Sequence, residues 1–166
     1  MPLVKFAMLI TIRRSQLSEY PLLVDLWEAS VRQSHDFLTD DDIAFYRPLL
    51  VDYMPIMEVY CTEDINGITG FIGIGDGMIQ ALFIKPAAIG KGYGKRLMEF
   101  AITDKRISRV DVNEQNIKAR NFYERLGFRV IGRREVDGAG KPYPILNMEL
   151  NHALANSSAS EILTKP

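Results

Sequence analysis

An α+β domain built on a mixed sheet is the architecture that the patterning of this chain predicts, and three observations carry it. Between about residues 57 and 86, three β-rich segments follow one another across Gly and Asn turns, as in an antiparallel meander. Two strand-to-helix units come next, the first entering its helix through a glycine loop that leaves a central strand. A last pair of alternating segments then closes as a hairpin. A meander joined to strand–helix units fits a layered α+β protein rather than a sandwich or a bundle. The expected order is βααβββαβαββ, in one domain over residues 1–151, with 152–166 as a small, polar, frayed tail.

Each element has its own local reason. "MLITIRR" alternates as a strand does. Ser15 or Ser18 can then cap a helix whose residues Leu22, Leu23, Leu26, Trp27, Ser30 and Val31 recur at helical spacing. "SHDFLT" breaks that period. Thr39, followed by Asp40, Asp41 and Asp42, marks the start of a second helix with Ile43, Tyr46, Leu49, Leu50 and Tyr53 on its apolar face, and Pro55 ends it. "MEVYCTED", "TGFIGIGD" and "GMIQALFIKP" are the meander strands; Cys61 reads as a buried apolar residue, and Gly73, Gly75 and Gly77 as serving the turn into the third strand. The helix after the glycine loop buries Leu97, Met98, Ala101 and Ile102. "RVDVN" is a strand and "NIKARNFYERL" a helix closed by Gly127, after which "FRVIGRREV" pairs with "YPILNMEL" across "DGAGKP".

Composition narrows the functional classes. A chain of 166 residues, 47% hydrophobic, can fill one ordinary core. Twenty basic and twenty-one acidic residues give a net charge of −1, so no global field draws the chain to nucleic acid or to an anionic membrane. Any basic site is local. Cys61 is the only cysteine, and His35 and His152 are the only histidines, which points to a reducing compartment and no metal site. The opening "MPLVKFAMLITI" lacks a small-residue cleavage site and is far short of the roughly 20 residues that span a bilayer. A soluble, cytoplasmic protein is expected, monomeric or homodimeric, with Met8 as a candidate start.

The stretch "IGKGYGKRLMEF", residues 89–100, concentrates the chemistry. Glycines at alternate positions 90, 92 and 94 let the backbone N–H groups turn to one concave face, and the helix that follows adds its free N–H groups and the positive end of its dipole. This is an anion cradle. It is not a P-loop, because Arg96 follows Lys95 where Ser or Thr belongs. A dinucleotide-binding fingerprint stays open as a runner-up, with Asp111 at the right distance, although Leu97 stands where the third glycine belongs.

Downstream, "VNEQNIKARNFYERLGF" resembles the signature N-x-x-A-x-x-F-Y-x-x-x-G-F of the GNAT superfamily of acetyl-CoA-dependent N-acetyltransferases, with Asn116, Ala119, Phe122, Tyr123, Gly127 and Phe128 in place. The glycine loop resembles that family's [QR]-x-x-G-x-[GA] motif, with Gly92 and Gly94 in the glycine positions and Ile89 where Gln or Arg usually stands. "SVRQSHDFL" and "EVDGAGKPYPILN" look more narrowly like the small bacterial YjaB-type members. The resemblance implies a GNAT-like fold with a V-shaped split between the fourth and fifth strands, and acetyl-CoA as the cosubstrate without a metal.

Specific roles follow from the resemblance. Ile89, Gly90, Lys91, Gly92, Tyr93, Gly94 and Lys95 would hold the pyrophosphate, while the backbone of Leu82, Phe83 and Ile84, with Asn116, would pair with the pantetheine arm. Asn116, Ala119, Tyr123 and Leu126 share one helix face, which points Tyr123 at the leaving thiolate as its proton donor. His35 and Tyr143 are the acceptor-side candidates, His35 also as a base, with Glu114 and a water chain as rivals. The acceptor is a small-molecule amine or a protein or peptide amine, to which the acetyl group passes by direct attack in a ternary complex. A non-catalytic acyl-CoA sensor is the alternative of another class.

Overall fold

The computed structural model describes residues 9–151, and the expected order of strands and helices recurs in it. The candidate start Met8, the second histidine His152 and the expected tail 152–166 lie outside the described residues. The chain divides into two compact units between Ile107 and Ser108.

The first unit contains β1 (Thr11–Arg14), α1 (Tyr20–Ser34), α2 (Asp40–Tyr53), β2 (Glu58–Asp64), β3 (Gly67–Gly75), β4 (Met78–Ile84) and α3 (Tyr93–Thr103). Its four strands pair in chain order, every pair antiparallel, as the meander pattern requires. Leu23, Val24, Trp27 and Val31 of α1 and Ile43 of α2 close over Val59, Cys61, Phe71 and Ala81 of the sheet. Gly73 and Gly75 lie within β3 and not in the turn, which corrects the sequence reading of both. At Gly73 a Cβ would meet the Met57 Sδ at 2.8 Å, so a larger residue would require the Met57 side chain to move.

Neither Ser15 nor Ser18 caps α1. Ser15 continues the β1–β2 pairing, its N–H donating to the Val59 carbonyl at 2.9 Å. The chain then makes a 3-10 turn over Leu17–Glu19, where the Gln16 N–H donates to the Glu19 carboxylate at 2.8 Å, and α1 starts at Tyr20 with Pro21 in its first turn. The predicted face of α1 is buried at Leu23, Leu26, Trp27, Ser30 and Val31, but Leu22 is exposed and Val24 is buried in its place. Thr39 caps α2 as expected, accepting from the Asp42 N–H at 3.1 Å while the Asp42 carboxylate accepts from the Thr39 N–H at 3.0 Å. Of the apolar face predicted for α2, only Ile43 is fully buried and Leu49 is exposed. In α3, Leu97, Met98 and Ala101 are buried and Ile102 is half-buried.

The second unit contains β5 (Arg109–Asn113), α4 (Ile117–Arg125), β6 (Phe128–Arg134) and β7 (Ile145–Leu150). β7, the last strand among the described residues, runs between the other two, antiparallel to β5 on one side and to β6 on the other. A register shift between Val130 and Gly132 leaves Ile131 out of the ladder and exposed. Gly127 follows α4 with a φ of 98°, the left-handed C′ residue that ends the helix and turns the chain into β6.

Candidate active site

The glycine loop has the conformation of an anion cradle. After a 3-10 turn over Pro86–Ala88, Gly90 and Gly92 take φ values of 79° and 89°, the left-handed region that glycine enters without strain. A Cβ built on either would have no atom within 4 Å, so the face that the missing side chains leave is open. Gly92 is the N-cap of α3 and brings no side chain to cap it. The first backbone bond of the helix runs from the Arg96 N–H to the Gly92 carbonyl, 3.1 Å, and among the described residues no backbone bond uses the N–H groups of Gly90 to Lys95. Six consecutive donors at a helix N-terminus suit a phosphate group. Gly94 already belongs to the helix, so only two of the three alternate glycines answer a backbone demand.

Ile89 is half-exposed and contributes no polar group to the cradle. Lys91 and Lys95 are exposed on the loop and the first turn of α3. Tyr93 is different: its ring is buried and its hydroxyl donates to the Asp64 Oδ2 at 2.6 Å, which raises the phenol pKa to about 12, with burial adding to the shift. Only its backbone N–H can therefore face an anion.

Leu82, Phe83 and Ile84, half-buried, lie on β4 opposite Ile72, Phe71 and Gly70 of β3. His35, at the end of α1, comes to this strand: its ring centre lies 6.4 Å from that of Phe83 and 5.3 Å from that of Phe37, and its Nδ1 is 2.7 Å from the Ser34 hydroxyl. Burial lowers the imidazole pKa to about 4, against a small opposing pull from Asp36. His35 is thus neutral at pH 7 but a weak base.

In the second unit Asn116 is the N-cap of α4, its Oδ1 accepting from the Ala119 N–H at 3.1 Å. The Asn–x–x–Ala spacing of the motif is therefore also a capping arrangement, because it sets the N-cap oxygen against the N–H of the third helical residue. Tyr123 is buried on α4, its ring edge-on to Phe122 at 5.3 Å and to Phe128 at 5.9 Å. Burial alone pushes its phenol pKa up, which keeps the proton on the oxygen at every physiological pH. Tyr143 is half-buried in the β6–β7 loop, its N–H donating to the Lys141 carbonyl at 2.8 Å, and the adjacent Pro144 carbonyl accepts from the Glu114 N–H at 2.9 Å.

Two rival readings lose ground in this geometry. The Glu114 carboxylate is gripped by the Arg133 guanidinium through two bonds of 2.8 and 2.9 Å, which hold its pKa below the usual range. Asp111, the acidic residue of the dinucleotide reading, accepts from Asn147 at 2.7 Å and Arg134 at 2.9 Å, and Leu97 is a fully buried core residue where that fingerprint needs glycine. Among the described residues no three His, Cys, Asp or Glu gather as they would around a metal ion, and no helix is long and apolar enough to cross a membrane. Asp64 is the participant that sequence reading missed. The signal was present in "TEDINGIT", where an Asp two residues before Asn-Gly sits at the mouth of a tight hairpin.

Known proteins resemble this chain over most of its length. A family model described as the acetyltransferase (GNAT) domain matches residues 55–130. Peptidyl-lysine N-acetyltransferase YjaB of Salmonella typhimurium is 41% identical over 142 residues, covering 85% of this chain and 98% of the relative. The solution structure of apo-form YjaB from Escherichia coli is 38% identical with a TM-score of 0.79, over 86% of this chain and 97% of that one. YncA of Salmonella typhimurium, solved with acetyl-CoA, is 20% identical with a TM-score of 0.62, over 86% and 94% of the two chains.

Proposed function

The chain belongs to the GNAT acetyltransferase family and is an N-acetyltransferase, and from that premise we propose that it acetylates the side-chain amine of lysine in a protein or peptide, with acetyl-CoA as the acetyl donor. The acceptor class follows the peptidyl-lysine relatives, which this chain matches over nearly their whole length. The stretch matched by the family model crosses the division at residues 107–108, which supports reading residues 1–151 as one catalytic domain.

One observation carries the cosubstrate assignment: the run of N–H groups from Gly90 to Lys95, opened by two left-handed glycines, has no backbone partner. A pyrophosphate fits such donors, and Lys91 and Lys95 add charge to them. The backbone of Leu82, Phe83 and Ile84, together with Asn116, serves the amide arm. Acetyl-CoA, when bound, supplies the acetyl group as a thioester. Tyr123 holds a proton on its Oη and gives it to the departing sulfur as the C–S bond breaks, and the surplus proton of the newly acylated nitrogen passes through water back to the phenolate oxygen, which restores the tyrosine and leaves a neutral amide and a thiol. His35 and Tyr143 line the acceptor side. With His35 too weak a base and Glu114 tied to Arg133, deprotonation of the incoming ammonium falls to water, and the neutral amine attacks directly in a ternary complex.

The test is incubation with acetyl-CoA and a panel of lysine peptides beside small amines, following thiol release and the mass of each acceptor. Acetylation of lysine Nζ is the expected result. Turnover with small amines only would overturn the acceptor, and binding of acetyl-CoA without thiol release from any amine would make the chain a sensor.

A further inference from the structure

A helix whose N-terminus must stay open for a ligand cannot be fixed by an ordinary cap, because the cap would occupy the donors that the ligand needs. α3 shows this problem in full. Its N-cap Gly92 has no side chain, and neither Gly90 nor Gly92 has side-chain packing to hold the loop in place. What does fix the start of the helix is its first residue, Tyr93, whose buried ring carries the 2.6 Å bond from Oη to the Asp64 Oδ2 at the end of β2. Asp64 is itself held: its Oδ1 accepts from the Asn66 N–H at 2.7 Å, inside the β2–β3 turn. The bond from Tyr93 first, then that from the Asn66 N–H, and last the charges of Lys91 and Lys85 hold the carboxyl below its usual pKa.

On the reading that residues 89–95 bind the pyrophosphate, we infer that the Tyr93–Asp64 hydrogen bond sets the position of those N–H groups, so that Asp64 is a positioning residue for the cosubstrate. The bond ties the first residue of α3 to the end of β2, 29 residues earlier in the chain. An O–H···O⁻ contact of this length is among the stronger hydrogen bonds and is directional, which suits it to orienting a helix end. The arrangement also places a carboxylate behind an anion site without making it an open repulsive charge, since a phenol proton and a backbone N–H cover its two oxygens.

Calorimetric titration with acetyl-CoA tests this on the wild type, Asp64→Ala, Asp64→Asn, Tyr93→Phe, the Asp64→Ala/Tyr93→Phe double variant and Gly92→Val. Asp64→Ala and Tyr93→Phe should each weaken binding about tenfold, the scale of one hydrogen bond to a charged group. The double variant should be no weaker than either single one, because both remove the same bond. Asp64→Asn keeps an acceptor for the phenol and should recover most of the affinity. Full additivity in the double variant, or no recovery in Asp64→Asn, would reduce Asp64 to a structural role and overturn the inference. Wild-type affinity in Asp64→Ala, with binding lost in Gly92→Val, would overturn it while leaving the cradle in place. Wild-type affinity in Gly92→Val would remove the cradle itself.

Discussion

The imidazole of His35 lies beside the ring of Phe83 on β4, centres 6.4 Å apart and planes tilted by 39°, with Phe37 at 5.3 Å. Between these rings the charged form of the imidazole loses its water, so the folded pKa drops to about 4 from the usual value of about 6.5. The sign of the stability effect follows from linkage. Between those two pH values the unfolded chain binds a proton that the folded chain refuses, so stability falls as pH drops from about 6.5 through about 4 and is unaffected above. The full loss amounts to about 3 kcal/mol. Urea midpoints measured between pH 7 and pH 4.5 should fall more steeply for the wild type than for His35→Gln, and equal slopes would contradict the burial argument.

The open cradle predicts a hierarchy among loop variants. Gly92→Val forces a β-branched residue into a φ of 89° and fills the face left open to the ligand, so acetyl-CoA binding should disappear. Lys91→Ala removes one charge and no backbone donor, and should weaken binding by roughly 1 to 2 kcal/mol. Calorimetry on both decides the order, and a larger loss for Lys91→Ala would mean that side chains, not backbone, hold the anion.

Glu114 offers a third check. Because Arg133 grips both carboxylate oxygens, Glu114→Gln should leave kcat within about tenfold and leave the acid limb of the pH–rate profile unmoved. A shifted acid limb would restore Glu114 as the base.

Much of this structure was legible in local sequence, because the elements are set by local chemistry: the Asn66-Gly67 turn between β2 and β3, the Thr39 capping box and the C′ glycine at 127 all sit where their residues indicate. The start of α1 was not legible, since Ser15 went to the β1–β2 pairing, a tertiary preference no capping rule contains. Tyr93 shows the same limit at the site. The resemblance counted Tyr93 among the residues that would hold the pyrophosphate, but its large ring is buried and its hydroxyl bonds to a partner 29 residues away. The weak basicity of His35 depends on rings from Phe37 and Phe83, and Phe83 reaches it only through the fold.

Tyr143 supplies the contrast for the catalytic assignment. It lies in the β6–β7 loop and is half-buried, so Tyr143→Phe should cost an acceptor-side hydrogen bond of about 1 kcal/mol and keep kcat within about tenfold, measured with one accepted lysine peptide. A fall of a thousandfold would transfer the proton-donor role to this residue.

The central claim is that the Tyr123 Oη donates the proton to the leaving sulfur, and Tyr123→Phe tests it by removing one oxygen atom. The ring keeps its edge-on contacts with Phe122 and Phe128, so the fold and the acetyl-CoA affinity should hold. General-acid catalysis contributes about 10²- to 10⁴-fold, which sets the expected fall in kcat, roughly 3 to 5 kcal/mol in the barrier. The measurement is kcat of Tyr123→Phe with one lysine peptide at saturating acetyl-CoA, alongside its calorimetric affinity for acetyl-CoA. A fall in kcat of that size with affinity unchanged is the predicted result, and turnover at the wild-type rate would contradict the assignment.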